Sequence, residues 1–141
     1  MNKNVRVVSL DKRFRRLERD LQKAANFFLE KLGKESAHLD VYLIGSVRMR
    51  KLNREYLGRD YSTNVLSFNA PPGFPETQKS LTPAGEIYLS PPYIKKHGED
   101  VNYMLLHGIL HIFGFNHENK SDRIRMEKLE EKLIQWLDHR S

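Results

Sequence analysis

His107-Gly108-Ile109-Leu110-His111-Ile112-Phe113-Gly114-Phe115-Asn116-His117 is the stretch on which the reading of this chain turns. It holds three of the six histidines, at spacings of four and six residues. At about 100° per residue, His107 and His111 fall one turn apart on one helix face, where both imidazoles can meet a single ion. His117 has no place on that face if the helix continues, since six residues leave it about 120° away and about 9 Å along the axis. Gly114 removes the obstacle. A glycine past His111 can take the left-handed conformation that ends a helix, and the chain can then fold His117 back over the pair. Three imidazoles with an open fourth position make a catalytic-type site for one divalent metal, zinc first among the candidates. A lone His pair would as readily be two surface or core histidines. The third His, after a helix-stopping Gly in an otherwise apolar segment, favours one partner shared by all three.

The segment resembles the zinc-peptidase pattern His-Glu-x-x-His-x-x-Gly-x-x-His, except that Gly108 replaces the Glu that acts there as general base. It is more similar to the signature His-Gly-x-Leu-His-x-x-Gly-[Tyr/Phe]-Asp-His of the YbeY-type ribosomal RNA maturation endoribonucleases. Two further blocks agree with that family, in the same order. Leu52-Asn53-Arg54-Glu55-Tyr56 followed by Thr63-Asn64-Val65-Leu66-Ser67-Phe68 resembles its Leu-Asn-x-x-[Tyr/His] and Thr-[Asp/Asn]-Val-Leu-Ser-Phe segments, and Gly85-Glu86-Ile87 its Gly-Asp-Ile strand. Three positions depart from the pattern: Asn116 stands where the family usually has Asp, Glu86 replaces Asp, and Leu57 occupies the place of an Arg implicated in activity. Arg54 and Arg59 are the nearest substitutes for that Arg, and neither aligns with it.

The chain has 141 residues, a length suited to one domain with a real core, and it contains no cysteine. Disulfides and thiolate ligands are thereby excluded, which suits a cytoplasmic protein. No signal peptide is visible, and no apolar run approaches the ~20 residues that a membrane-spanning helix needs. Charge is unevenly placed. Residues 1–60 carry 15 Lys and Arg against 8 Asp and Glu, whereas the rest of the chain is close to neutral. A basic half beside a neutral metal half suits a polyanion that lies across the first and is cut at the second.

Periodicity places the remaining elements. Residues 5–10 read as a strand, after which Asp11 caps a helix to Gly33 with Phe14, Leu17, Leu21, Ala24, Phe28 and Leu32 as its buried stripe. Leu39–Ile44 reads as a strand, and Ser46 as the N-cap of a helix over 47–57 that carries Arg48, Arg50, Lys51 and Arg54. Thr63–Phe68 and Gly85–Leu89 read as strands, with a long loop from Ala70 to Pro83 between them. Ser90-Pro91-Pro92 opens a short helix. Glu99–Phe113 is apolar all round and is expected to be buried, and a last helix begins at Ser121 and Asp122 with Met126, Leu129, Leu133 and Trp136 as its core stripe. The pattern predicts a single α+β domain over residues 1–141, a mixed sheet of about four strands with the metal helix packed against it.

The resemblance implies a metal-dependent, single-strand-specific endoribonuclease that acts in ribosomal RNA maturation, with RNA and the ribosomal subunit as partners. On this reading His107, His111 and His117 hold the metal. Glu86 is the expected proton acceptor or ligand orienter, with Glu118 a weaker candidate, and Arg54 and Arg59 position the phosphate chain. Two rival readings remain: a zinc peptidase, disfavoured by Gly108, and a ribosome-assembly protein whose metal is structural and whose basic face binds RNA without cutting it.

Overall fold

The computed structural model describes residues 4–69 and 82–139, so most of the expected loop from Ala70 to Pro83 lies outside the described residues. The elements are β1 (Val5–Ser9), a 3-10 turn (Lys12–Phe14), α1 (Arg15–Lys31), β2 (Ala37–Leu43), α2 (Ser46–Leu57), β3 (Val65–Asn69), β4 (Thr82–Leu89), α3 (Pro91–Lys96), α4 (Val101–Ile112) and α5 (Lys120–Asp138). The strands form one mixed sheet in the order β1-β2-β4-β3. β1, β2 and β4 run parallel, and β3 pairs antiparallel with β4 at the edge. This is the α+β sandwich that the periodicity predicts.

Strand alternation gives the sheet two different faces. Along β2, Ala37, Leu39, Val41 and Leu43 point into the main core, joined by Ile87 and Leu89 of β4. α1, α4 and α5 pack on this side, through Leu21, Ala24 and Phe28, through Leu105, Leu106, Ile109 and Leu110, and through Met126 and Leu133. The opposite face carries Tyr42, Phe68 and Tyr88, and α2 covers part of it with Met49 and Leu52. Tyr42 and Tyr88 stack there at 5.0 Å between ring centroids.

Helix ends differ from the sequence expectation by small steps with local causes. Asp11 accepts a hydrogen bond from the Arg13 amide and caps the 3-10 turn, after which α1 begins. Gly45, not Ser46, is the N-cap of α2, in an extended conformation and without a side-chain bond, so Ser46 is already helical. Asp100 caps α4 by accepting from the Tyr103 amide, so the helix begins at Val101, and Glu99 before it accepts from Asn64. Asn119 caps α5 in the same way, through the Asp122 amide. The apolar stripe of α5 is also redrawn. Trp136 is 43% exposed, under the ammonium groups of Lys31 and Lys132, while Glu130 is buried between Met126 and Leu133.

Two glycines let the sheet and α4 close up. Gly85 of β4 has φ 154°, and a Cβ there would run into the carbonyl oxygen of Phe68 on β3. At Gly108, a Cβ would come to 3.0 Å from Ser67 Oγ, 3.1 Å from Ile87 Cγ2 and 3.2 Å from Val65 Cγ2. Gly85→Ala is expected to lower stability by about 2 kcal/mol or more, because backbone cannot step aside as a side-chain tip can. Urea denaturation measures this, and a midpoint equal to that of the wild type would show that β3 and β4 can separate locally at no cost.

Candidate metal centre

α4 supplies the first two candidate ligands on a rigid mount. His107 and His111 lie one turn apart with ring centroids 4.6 Å apart and their Nε2 atoms 3.0 Å apart. The helix then stops at Gly114, whose φ is 94°. The Gly114 amide donates to the His111 carbonyl at 3.1 Å and the Phe115 amide to the Leu110 carbonyl at 3.0 Å, the two bonds of a Schellman motif. The returning chain brings the His117 ring to 5.0 Å from both other rings, stacked on His107 with 20° between planes. One ligand nitrogen from each histidine lies within 4.8 Å of the other two.

These separations suit a shared ion. Nitrogens about 2.05 Å from a tetrahedral zinc stand about 3.3 Å from one another, so small adjustments of the ring torsions close the set. Without an ion the 3.0 Å contact between His107 and His111 is an Nε2–H···Nε2 hydrogen bond, whereas a shared ion would take a lone pair from each nitrogen. His107 and His111 are half-buried and His117 is exposed; burial first, and then the neighbouring His107 and His117, push the His111 pKa below the ordinary histidine value. A neutral imidazole is the form that binds metal.

The sheet grips α4 from behind. Ser67 Oγ donates to the Gly108 carbonyl at 3.1 Å, and Asn69 Nδ2 donates to the Ile112 carbonyl at 2.7 Å, which satisfies an orphan acceptor at the helix end. The residue after the first His therefore faces the sheet, and no general base fits there. Asn116 turns the loop locally, its side-chain oxygen accepting from the Glu118 amide at 3.0 Å. Glu118 is exposed.

A buried residue that contacts the cluster, and that the histidine spacing does not reveal, comes from α5. Glu130 is 1% exposed and accepts two hydrogen bonds at 2.8 Å, from the Tyr103 hydroxyl on Oε1 and from His107 Nδ1 on Oε2. Burial, and then the bond to Glu130, push the Tyr103 pKa up to about 12. The sequence carried a signal for Glu130: a carboxylate four residues past Met126 and three before Leu133, inside the apolar stripe.

The other expected site residues lie elsewhere. Glu86 pairs with Asp40 and Phe68 across the sheet, and its carboxylate accepts from the Tyr88 hydroxyl at 3.2 Å. Ile87, next to it, is the residue that meets Gly108, so alternation turns Glu86 to the far face, towards the α2 side. It does not join the three histidines. Arg54 sits on α2 beside Asp60 at 3.6 Å, and Arg50 holds the same carboxylate at 2.9 Å. Arg59 is exposed beyond the helix end. Among the described residues neither Arg54 nor Arg59 is hydrogen-bonded or ion-paired to the histidine cluster.

Comparison with known proteins agrees with this geometry. The family described as "Endoribonuclease YbeY" matches residues 4–138. An Endoribonuclease YbeY from an Anaeromyxobacter species is 34% identical over 139 residues, which cover 92% of this chain and 69% of that protein. The Endoribonuclease YbeY of Neorickettsia sennetsu is 34% identical over 134 residues, 89% of each chain. The solution structure of TM1509 from Thermotoga maritima superposes with a TM-score of 0.56 at 25% identity, covering 96% of this chain and 91% of that one. With a family match over residues 4–138 and relatives 34% identical over most of its length, the chain belongs to the Endoribonuclease YbeY family.

Proposed function

We propose that this protein is a metal-dependent endoribonuclease that cuts single-stranded RNA in ribosomal RNA maturation, in the cytoplasm and beside the ribosomal subunit. The observation that carries the reading is the convergence of His107, His111 and His117 on one point at the end of a buried helix. These three residues would hold one divalent ion, zinc first among the candidates. Such an ion, when bound, supplies a Lewis acid that lowers the pKa of water towards ~7 and polarises a phosphoryl oxygen. The chain's own contribution is placement. α4 fixes two imidazoles, the Gly114 turn returns the third, and the exposed side of His117 leaves an approach for substrate.

The peptidase reading loses further ground, because Gly108 faces Ser67 and Ile87 rather than open space. The non-catalytic reading is separated from ours by activity alone. Arg48, Arg50, Lys51, Arg54 and Arg59 are exposed and belong to α2 and its end, on the other side of the sheet from the histidines. Their role in this proposal is to hold phosphates of an RNA strand away from the scissile bond, by charge and counterion release. No helix among the described residues is long and apolar enough to cross a membrane.

The protein should bind about one divalent metal per chain, and replacing His107, His111 or His117 with Ala should cut metal content and RNA cleavage together, by orders of magnitude. Elemental analysis beside a nuclease assay on unstructured RNA checks both. Full metal occupancy in His117→Ala would remove the third ligand. Glu86→Gln, on the far face, should keep metal content and should leave the cleavage rate within about threefold. A hundredfold loss there would return Glu86 to the chemistry. RNA affinity should fall steeply between low and moderate salt, and Arg48→Glu with Arg50→Glu and Arg54→Glu should weaken it by at least about tenfold with metal content unchanged. Fluorescence anisotropy reads this, and salt-insensitive binding would make the basic half an ordinary solvated surface.

A further inference from the structure

Glu130 is out of place by ordinary rules. Its neighbours along the buried stripe of α5 are Met126 and Leu133, and it is as enclosed as they are. Removing an ionised carboxylate from water is costly unless donors or a positive charge answer it. Among the described residues no Lys or Arg is ion-paired to it. The two donors that answer it both come from α4: the Tyr103 hydroxyl and His107 Nδ1, each 2.8 Å from a different carboxylate oxygen. Tyr103 and His107 are four residues apart, so one turn of α4 presents both to one carboxylate.

The arrangement constrains His107 more than its two companions. A carboxylate can only accept, so His107 Nδ1 carries the hydrogen and Nε2 keeps its lone pair. Nε2 is the atom that lies 3.0 Å from Nε2 of His111, inside the cluster. Pinning one nitrogen at 2.8 Å opposes a ring flip, which would break that bond, and the Tyr103 hydroxyl holds the carboxylate in turn. We propose that Glu130, held by Tyr103, is the positioning residue of the metal centre: it fixes the tautomer and plane of His107 and backs that ligand with negative charge. The inference rests on the metal-centre reading above. In that reading the last helix takes part in metal binding without supplying a ligand. The alternative is that Glu130 only clips α5 to α4.

Cobalt(II) titration of the full chain against a competing chelator separates the two, because bound cobalt reports both affinity and ligand field by its visible spectrum. Glu130→Gln keeps the shape and removes the charge, and it should weaken cobalt binding by about 10- to 100-fold. Tyr103→Phe should weaken it less, and it keeps the question open to test if Glu130→Gln does not fold. Leu133→Ala loosens the same seam without touching His107, and it should lower the melting temperature while cobalt affinity stays within about threefold. Nitrogen-15 NMR of the zinc-loaded wild type should show the hydrogen of His107 on Nδ1 and the metal on Nε2. Wild-type affinity in Glu130→Gln, or in Tyr103→Phe where it alone folds, overturns the inference. So does an equal loss of affinity in Leu133→Ala. If the wild type itself takes up no cobalt, the metal-centre reading and this inference fall together.

Discussion

The close seating of α4 on the sheet at Gly108 is the constraint on which the rest depends. With no Cβ at that position, Ser67, Val65 and Ile87 reach within about van der Waals distance of the helix backbone. Ser67 and Asn69 then bind two of its carbonyls. Glycine in mid-helix costs about 1 kcal/mol against alanine, and its presence fits a site where a Cβ would crowd three sheet side chains at 3.0–3.2 Å. Once that contact is made, the rotation of α4 is fixed. Its apolar residues fill the core, and the two histidines emerge together on the remaining side. The same seating explains why a peptidase-type base is absent after the first histidine.

Much of this was legible in residue spacing. The strand and helix periods gave the elements to within a few residues, and the His-Gly-His pattern gave the candidate ligands and the turn that gathers them. The errors fall where a local rule met a tertiary one. Ser46 has the chemistry of an N-cap, but the backbone enters α2 a residue earlier at Gly45. Trp136 has the spacing of a core residue, but it lies at the outer margin of α5, where two lysines cover its ring.

The two glutamates show the limit most clearly. Glu86 sits in a segment similar to a family block, yet the side on which a strand residue falls depends on register, and register is set by partners far along the chain. The bulge at Ala84, where Pro83 pairs with His38 but Gly85 with Leu39, sets that parity. Glu130 stands in a helix with several charged residues, which offers many carboxylates, and only packing decides which one is enclosed. A carboxylate within an apolar stripe is the pattern that would have singled it out.

His107 and Glu130 are separated by 23 residues, whereas the three histidines lie within a single helix end and its return. The two sets of contacts therefore make different entropic demands on the chain. The histidine cluster closes only a short loop, one helix end and one tight turn, although α4 itself depends on the core for its stability. The clamp on His107 requires α5 to dock across α4, a longer loop closure that comes with completion of the core.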